Sequence, residues 1–280
     1  TTDEGGILIF MPSKADLRQG CLLLESDMRR KDVYCQPLSG SSTNLEKEYA
    51  ISIDKFKTHP KGPYNRKVVI GTEVVESSIT IKGLKYVIDC GLSNQSKYYA
   101  RESQFALEKR YISKASHLQR KGRVGRKSSG VCYNVFTKQE YEKLFPDYTI
   151  SPILQSNIAQ VVLNTLTGAY VNSVQLPFKY SNAKKFDSKV KTNLSTFFSL
   201  FIEKPKESYV NEALKRLVAL GAIHKKDGRV TNLGYGMSKL NLEPEYARIL
   251  IAGFNYGVLD KISELCAMLE IGEMNNFLLE

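Results

Sequence analysis

The sequence predicts an α/β protein: a parallel sheet covered by helices, then a winged-helix arrangement, then the first helices of an α-helical domain. Two observations carry this. From residue 7 to residue 136, short apolar runs alternate with amphipathic stretches. That is the rhythm of strand–helix–strand units whose sheet is buried on both faces. After Pro146 the pattern changes to two helices and a small β-ribbon, followed by further helices.

The elements follow in order. Residues 7–10 form an apolar run that ends at Pro12, a first strand. Leu17, Cys21, Leu24 and Met28 recur at intervals of four, three and four, which places them on one helix face. Residues 33–35 are a second short strand. Residues 43–56 read as a helix capped by Ser42 or Thr43, with Leu45, Tyr49 and Ile53 along its apolar side. Residues 67–70, 86–90 and 131–136 are three more strands. Residues 97–112 break the rhythm and read as an antiparallel hairpin around Ser103-Gln104, projecting from the sheet. Residues 153–166 are predicted as one long amphipathic helix. Residues 209–220 form another, closed by Gly221. Residues 223–230 are a hairpin turning at Asp227-Gly228, and two helices at 243–254 and 259–269 are broken at Gly257. The stretch 177–207, rich in Lys, Ser and Asn, reads as an insertion with no assigned function. Domain boundaries are expected at 1–145, 146–236 and 237–280.

At 280 residues the chain is long enough for about two domains. Hydrophobic residues make up 42% of it and charged residues 25%, which excludes a disordered chain. The five cysteines are odd in number and none shows CxxC spacing, which argues against a disulfide scaffold and a zinc site. They read as small buried apolar residues of a reducing compartment. No metal site is expected. No leader peptide and no long apolar run occurs, so no membrane association is expected and the location is read as intracellular, with cytoplasm, nucleus and virion left open. The chain opens on TTDEGG without Met and reads as a piece of a longer protein. The net charge of +11 concentrates at 97–127, where ten Lys and Arg face only Glu102 and Glu108. Such clustering is the footprint of phosphate binding.

The sharpest motif is Gln119-Arg120-Lys121-Gly122-Arg123-Val124-Gly125-Arg126. Arg123 and Arg126, three apart, present two guanidiniums on one side, each a fork suited to phosphate oxygens. Upstream, residues 66–81, RKVVIGTEVVESSITI, are a core strand running into a Thr and an acidic, hydroxyl-rich turn.

These segments resemble motifs VI and V of superfamily 2 helicases of the DEAH-box type, and residues 6–13, GILIFMPS, resemble motif IV. The resemblance implies a second RecA-like motor domain with a protruding β-hairpin, then a winged helix and the start of a ratchet-like helical domain. It implies ATP and Mg²⁺ as cofactors, bound mainly by a first motor domain. Gln119 would position the attacking water, and Arg123 and Arg126 would be arginine fingers on the γ-phosphate. Phe56 would stack on the adenine. Glu76, Ser77, Ser78 and Gly122 would line the nucleotide cleft. Thr72 and Ser13 would contact nucleic-acid phosphates, and Tyr98, Tyr99, Phe105 and Arg101 of the hairpin would meet the strand. Lys82 departs from the family, which has an acidic residue near the ribose. The sequence holds no G-x-x-x-x-G-K-[ST] and no D-E-x-H, so the 280 residues alone are expected to be inactive. The implied partners are single-stranded or partly duplex RNA, or DNA, the first RecA-like domain, and an accessory protein that the sequence does not identify. The wording QRKGRVGR and the insertion suggest an origin in a large DNA virus. The competing readings are a nucleic-acid-binding protein with a degenerate, non-hydrolysing helicase fold, and a regulator built on the winged helix.

Overall fold

The computed structural model describes residues 4–27, 32–77, 79–100, 104–125, 129–168, 194–226 and 228–271. They fall into two compact units. The first comprises 1–97 and 107–150, and the second 98–106 and 151–280.

The first unit is built on a five-stranded sheet in the order β2-β3-β1-β4-β7. Its strands are β1 (Gly6–Phe10), β2 (Val33–Leu38), β3 (Arg66–Gly71), β4 (Leu84–Asp89) and β7 (Val131–Asn134), and every pairing is parallel. β1 runs centrally, with Ile9 opposite both Ile70 and Ile88. Because strand side chains alternate, β1 serves two cores. Leu8 and Phe10 join Leu38, Val69, Val75 and Val87 on one face. Ile7 and Ile9 pack on the other against Leu17, Cys21, Val68 and Ile70. This two-sided burial is why these strands read as continuous apolar runs.

Helix α1 (Lys14–Ser26) starts at Ser13, whose hydroxyl accepts from the Asp16 N–H at 3.1 Å. It buries Leu17 and Cys21, one helical turn apart, as the periodicity predicts. Cys21 meets Cys35 of β2 and the two form a disulfide, Cα to Cα 5.4 Å. This corrects the expectation of unpaired cysteines. The helix and strand project both side chains into one core, a proximity that sequence spacing does not reveal. Helix α2 (Asn44–Ile51) carries a capping box between Thr43 and Glu46. Its buried residue is Ala50, while Leu45 and Ile53 are exposed, so the predicted apolar side is corrected. Tyr49 instead joins a ring cluster with Tyr34 and His59. A 3-10 turn, Lys55–Thr58, follows. The unit also contains α3 (Val74–Ser77), α4 (Lys114–Lys121) and α5 (Lys138–Leu144).

Strands β5 (Leu92–Tyr99) and β6 (Gln104–Tyr111) pair as a separate two-stranded sheet. Only residues 100–103 join them, so they run antiparallel. The hairpin begins five residues earlier than predicted.

In the second unit, the predicted long helix at 153–166 is in fact a 3-10 turn, Pro152–Leu154, and a separate helix α6 (Ala159–Leu166). The break falls at Asn157, whose Oδ1 accepts from the Ala159 N–H at 3.0 Å in a local turn just ahead of the helix, which itself has Ile158 at its N-cap. Helix α7 (Glu207–Ala219) ends at Gly221, φ +73°. An antiparallel bridge between Ile223 and Val230 closes the predicted β-ribbon. Then come α8 (Asn232–Lys239), capped by Thr231, α9 (Pro244–Asn255) and α10 (Leu259–Ile271). One core joins Val162, Leu163, Leu214, Leu217, Met237 and Ala247. Ala247 of α9 thus shares the winged-helix core instead of starting a separate one. Of the stretch read as an insertion, residues 177–193 lie outside the described residues, but Leu194, Phe197 and Phe198 are buried in this same core.

Among the described residues, no helix is long and apolar enough to cross a membrane. No group of three or more His, Cys, Asp or Glu side chains among them is placed to hold a metal ion.

Candidate functional site

The two motif segments meet at the carboxyl end of the sheet. β3 delivers Thr72, which is buried just past the strand, and the chain turns at once into α3. α4 begins at Ser113, whose hydroxyl caps the Ser116 N–H at 3.0 Å. Three residues of the α4 segment then reach Glu76 of α3. Ser116 donates its hydroxyl to Glu76 Oε1. Arg120 Nε donates to Glu76 Oε2 at 3.0 Å. Arg123 donates one Nη to the Glu76 carbonyl and the other to the Ile79 carbonyl at 2.9 Å. Glu76 therefore joins the two motifs through both its side chain and its backbone.

Arg120 is 1% exposed. Its Nη1 also donates to Asp89 Oδ1 at 2.9 Å and to the Leu92 carbonyl at 3.4 Å, and its Cζ lies 4.7 Å from the Phe10 ring centroid. Asp89 ends β4 with 0% exposure and is satisfied three ways, by Arg120, by the Gly91 N–H at 2.9 Å and by His117 Nδ1 at 2.9 Å. Burial alone would raise the Asp89 carboxyl. His117, Arg120 and Gly91 outweigh it and hold Asp89 below its ordinary value. Burial works against the Arg120 cation too, and the two carboxylates overcome it. Sequence reasoning missed Asp89, Ser116 and His117. An acid ending an apolar strand and followed by Cys-Gly was the available signal.

The other predicted residues divide. Gln119 and Gly122 are exposed at the end of α4, beside exposed Lys121. Ser77 ends α3 next to Glu76. Ser13 is engaged as the α1 cap and also donates to Asp16 Oδ2 at 2.6 Å. Arg126, Arg101 and Ser78 lie outside the described residues. Three expectations are corrected. Arg123, expected as an arginine finger, is turned inward, because the Glu76 and Ile79 carbonyls take its guanidinium. It borders a cavity of about 300 Å³ lined also by Ile53, Ile79, Ile81 and Lys82. Phe56 is 5% exposed, its ring stacked near Tyr34 and under Lys67, so it offers no free face to an adenine. Tyr98 is buried too, with its hydroxyl on Arg216, and offers no stacking face. Phe105, 52% exposed, keeps an open ring.

This geometry ties a strand-end Thr and acidic turn to a Gln- and Arg-bearing helix at the carboxyl end of a parallel sheet. Comparison with known proteins agrees. Residues 1–128 match the helicase conserved C-terminal domain, and residues 213–240 match the winged-helix helicase-associated domain HA2. The human ATP-dependent RNA helicase DHX33 is 32% identical over 225 residues, 80% of this chain and 28% of that protein. The human ATP-dependent RNA helicase DHX29 is 28% identical over 269 residues, 95% of this chain and 18% of that protein. The crystal structure of the Escherichia coli DExH-box NTPase HrpB shares the fold, with TM-score 0.74 and 24% identity over 96% of this chain and 29% of that chain. The chain thus spans less than a third of the length of these relatives. It is homologous to ATP-dependent RNA helicases and corresponds to the carboxy-terminal part of a DEAH-box helicase.

Proposed function

We propose that the full-length protein couples ATP hydrolysis to movement along RNA and duplex separation, and that this chain supplies its second motor domain, winged helix and first helical-domain segments. The observation that supports this most is the joining of the two motifs through Glu76. It links Thr72, the phosphate-contacting candidate, to the helix that carries Gln119 and leads to Arg126. A protein that only binds nucleic acid has no need of this junction, which weighs against the degenerate-helicase alternative.

In this reading a first RecA-like domain would hold most of the ATP and its Mg²⁺, and the metal would supply charge neutralisation for the transferred phosphate. Gln119 and Arg126 would be the residues of this chain that act on that phosphate. Arg123 either leaves its carbonyls when the nucleotide arrives or braces the 76–79 turn from within. Lys82, at the rim of the cavity, cannot accept a ribose hydroxyl, so the ribose contact is left out of this reading. RNA is favoured over DNA by the relatives. The location is proposed as intracellular. The large-DNA-virus origin draws no support from relatives in mammals and Escherichia coli and does not enter the reading.

The test is RNA-stimulated ATP hydrolysis by the full-length protein. Arg126→Ala is expected to lower turnover on the order of 10³-fold, as loss of an arginine finger does. Near-normal turnover defeats the assignment.

A further inference from the structure

The positive charge of the second unit gathers in one short stretch. Residues 222–242 carry Lys225, Lys226, Arg229 and Lys239 against Asp227 as the one acid. The elements on either side differ. α9 and α10 carry four acids against Arg248 and Lys261. α7 carries Glu207 and Glu212, with its Lys215 paired to Glu212 and its Arg216 to Glu245.

The ribbon at 223–230 and α8 are fixed to each other. Ala222 and Ile223 are buried in the core, and Ile223 bridges Val230 at the root of the ribbon. The outer turn is closed by two backbone bonds of 2.9 Å, from the His224 N–H to the Arg229 carbonyl and from the Gly228 N–H to the His224 carbonyl. Thr231, the next residue, caps α8 and donates its hydroxyl to the Gly221 carbonyl at 2.7 Å. On the first turn of α8, a Cβ at Gly234 would come within 2.0 Å of the Ala222 carbonyl oxygen, so helix and ribbon root meet backbone to backbone. A surface held this firmly loses little freedom when a ligand binds it.

Its exposed side is basic and aromatic. Lys225, Lys226 and Arg229 are exposed on the ribbon. Tyr235 and Lys239, four residues apart, share a face of α8. Tyr235 is 54% exposed and has the Lys239 ammonium 4.9 Å from its ring centroid. Cations alone would attract any polyanion. An exposed ring among them adds a platform for a flat base, and only an unpaired strand can turn a base onto it.

We infer that the ribbon and the Tyr235–Lys239 face of α8 form a second nucleic-acid surface, which holds the phosphates of a single strand on Lys225, Lys226 and Arg229 and stacks a base on Tyr235. It lies wholly within the winged-helix unit, uses none of the motif residues, and stands independently of ATP hydrolysis.

The test is fluorescence anisotropy of labelled single-stranded oligo-uridine on the full-length protein, between 50 and 200 mM salt, with melting temperature as a check on folding. Replacing Lys225 and Lys226 together by alanine is expected to weaken binding and to make the slope of log affinity against log salt shallower by about 1.4, the share of two phosphate contacts on a single strand. Tyr235→Ala is expected to weaken binding roughly tenfold with the slope unchanged, since stacking releases no counterions. Tyr235→Leu, which keeps apolar bulk and loses the flat ring, takes its place if the alanine variant does not fold. Unchanged affinity and slope in the folded lysine variant overturn the surface. A changed slope there with full affinity in the Tyr235 variant overturns it as a nucleic-acid site and leaves a general polyanion patch. Displacement of the oligo-uridine from the wild type by poly-glutamate at equal charge does the same, in favour of an acidic peptide.

Discussion

Replacing Arg120 by methionine removes the charge at the centre of the junction while nearly keeping the volume. Two carboxylates then lose their cation. Glu76 keeps the Ser116 hydroxyl and some access to water, its side chain being 13% exposed. Asp89, with no exposure at all, keeps only His117 and Gly91. Breaking a buried pair from one side costs about 3–5 kcal/mol. Asp89 has one escape, which is to take a proton. At pH 7 that costs about 1.4 kcal/mol for each pH unit above its ordinary 3.8, so roughly 4 kcal/mol caps its share of the loss. At pH 5 the cap falls to about 2 kcal/mol. Arg120→Met should therefore destabilise the first unit by about 3–4 kcal/mol at pH 7 and by about half that at pH 5. Adding Asp89→Asn should return much of the loss, since the stranded charge goes with it. Amide hydrogen exchange of the β1 and β4 strands reads the stability of this unit separately from the other. A loss under about 1 kcal/mol at pH 7, or an equal loss at both pH values, refutes the reasoning.

Two further outcomes follow from buried ionisable groups. Because Asp89 is held below its ordinary 3.8 in the folded state, its stabilisation is fully present above that value and lost as pH falls through the depressed one. Asp89→Asn should therefore flatten the acid limb of unfolding below about pH 4, and an unchanged acid limb would contradict this. Lys67 is pushed down from 10.5 to about 8, burial prevailing over Asp54, with its ammonium on the Ala50 and Ser52 carbonyls. Between about pH 8 and 10.5 the unfolded chain binds the extra proton, so stability should rise with pH in that window, by at most about 3 kcal/mol. Urea unfolding at pH 8 and 9.5 of wild type and Lys67→Met checks it; a rise shared by both would remove Lys67 as its source.

The sheet was legible because its central strands are buried on both faces and so form unbroken apolar runs; residues 67–70 and 86–90 could hardly be anything else. The site was legible to the extent that phosphate chemistry has a fixed vocabulary, as in Gln119 to Arg126. The misreadings share a physical cause. Phe56 and Tyr98 were assigned by residue type, but an aromatic ring offers as much burial as stacking, and only the fold decides between them. Tyr34, Arg216 and Tyr209 take those rings from positions far away in sequence. The partners that make Arg120 central, Asp89 and Glu76, lie 31 and 44 residues away and leave no local mark in the sequence. Local signals were also overruled by local chemistry. Ser156-Asn157 sits inside an apolar periodicity that favours one helix, and the Asn157 side chain nonetheless bonds the Ala159 N–H two residues on and turns the chain ahead of a separate helix.

Strand displacement by the full-length protein, on an RNA duplex with a single-stranded overhang, bears most directly on whether the Glu76 junction serves a motor. Displacement is expected with ATP, absent with a non-hydrolysable analogue, and abolished by Arg126→Ala while RNA is still bound. Tight RNA binding with no ATP-dependent displacement by the wild-type protein would contradict the motor and leave a binding protein that has kept only the helicase fold.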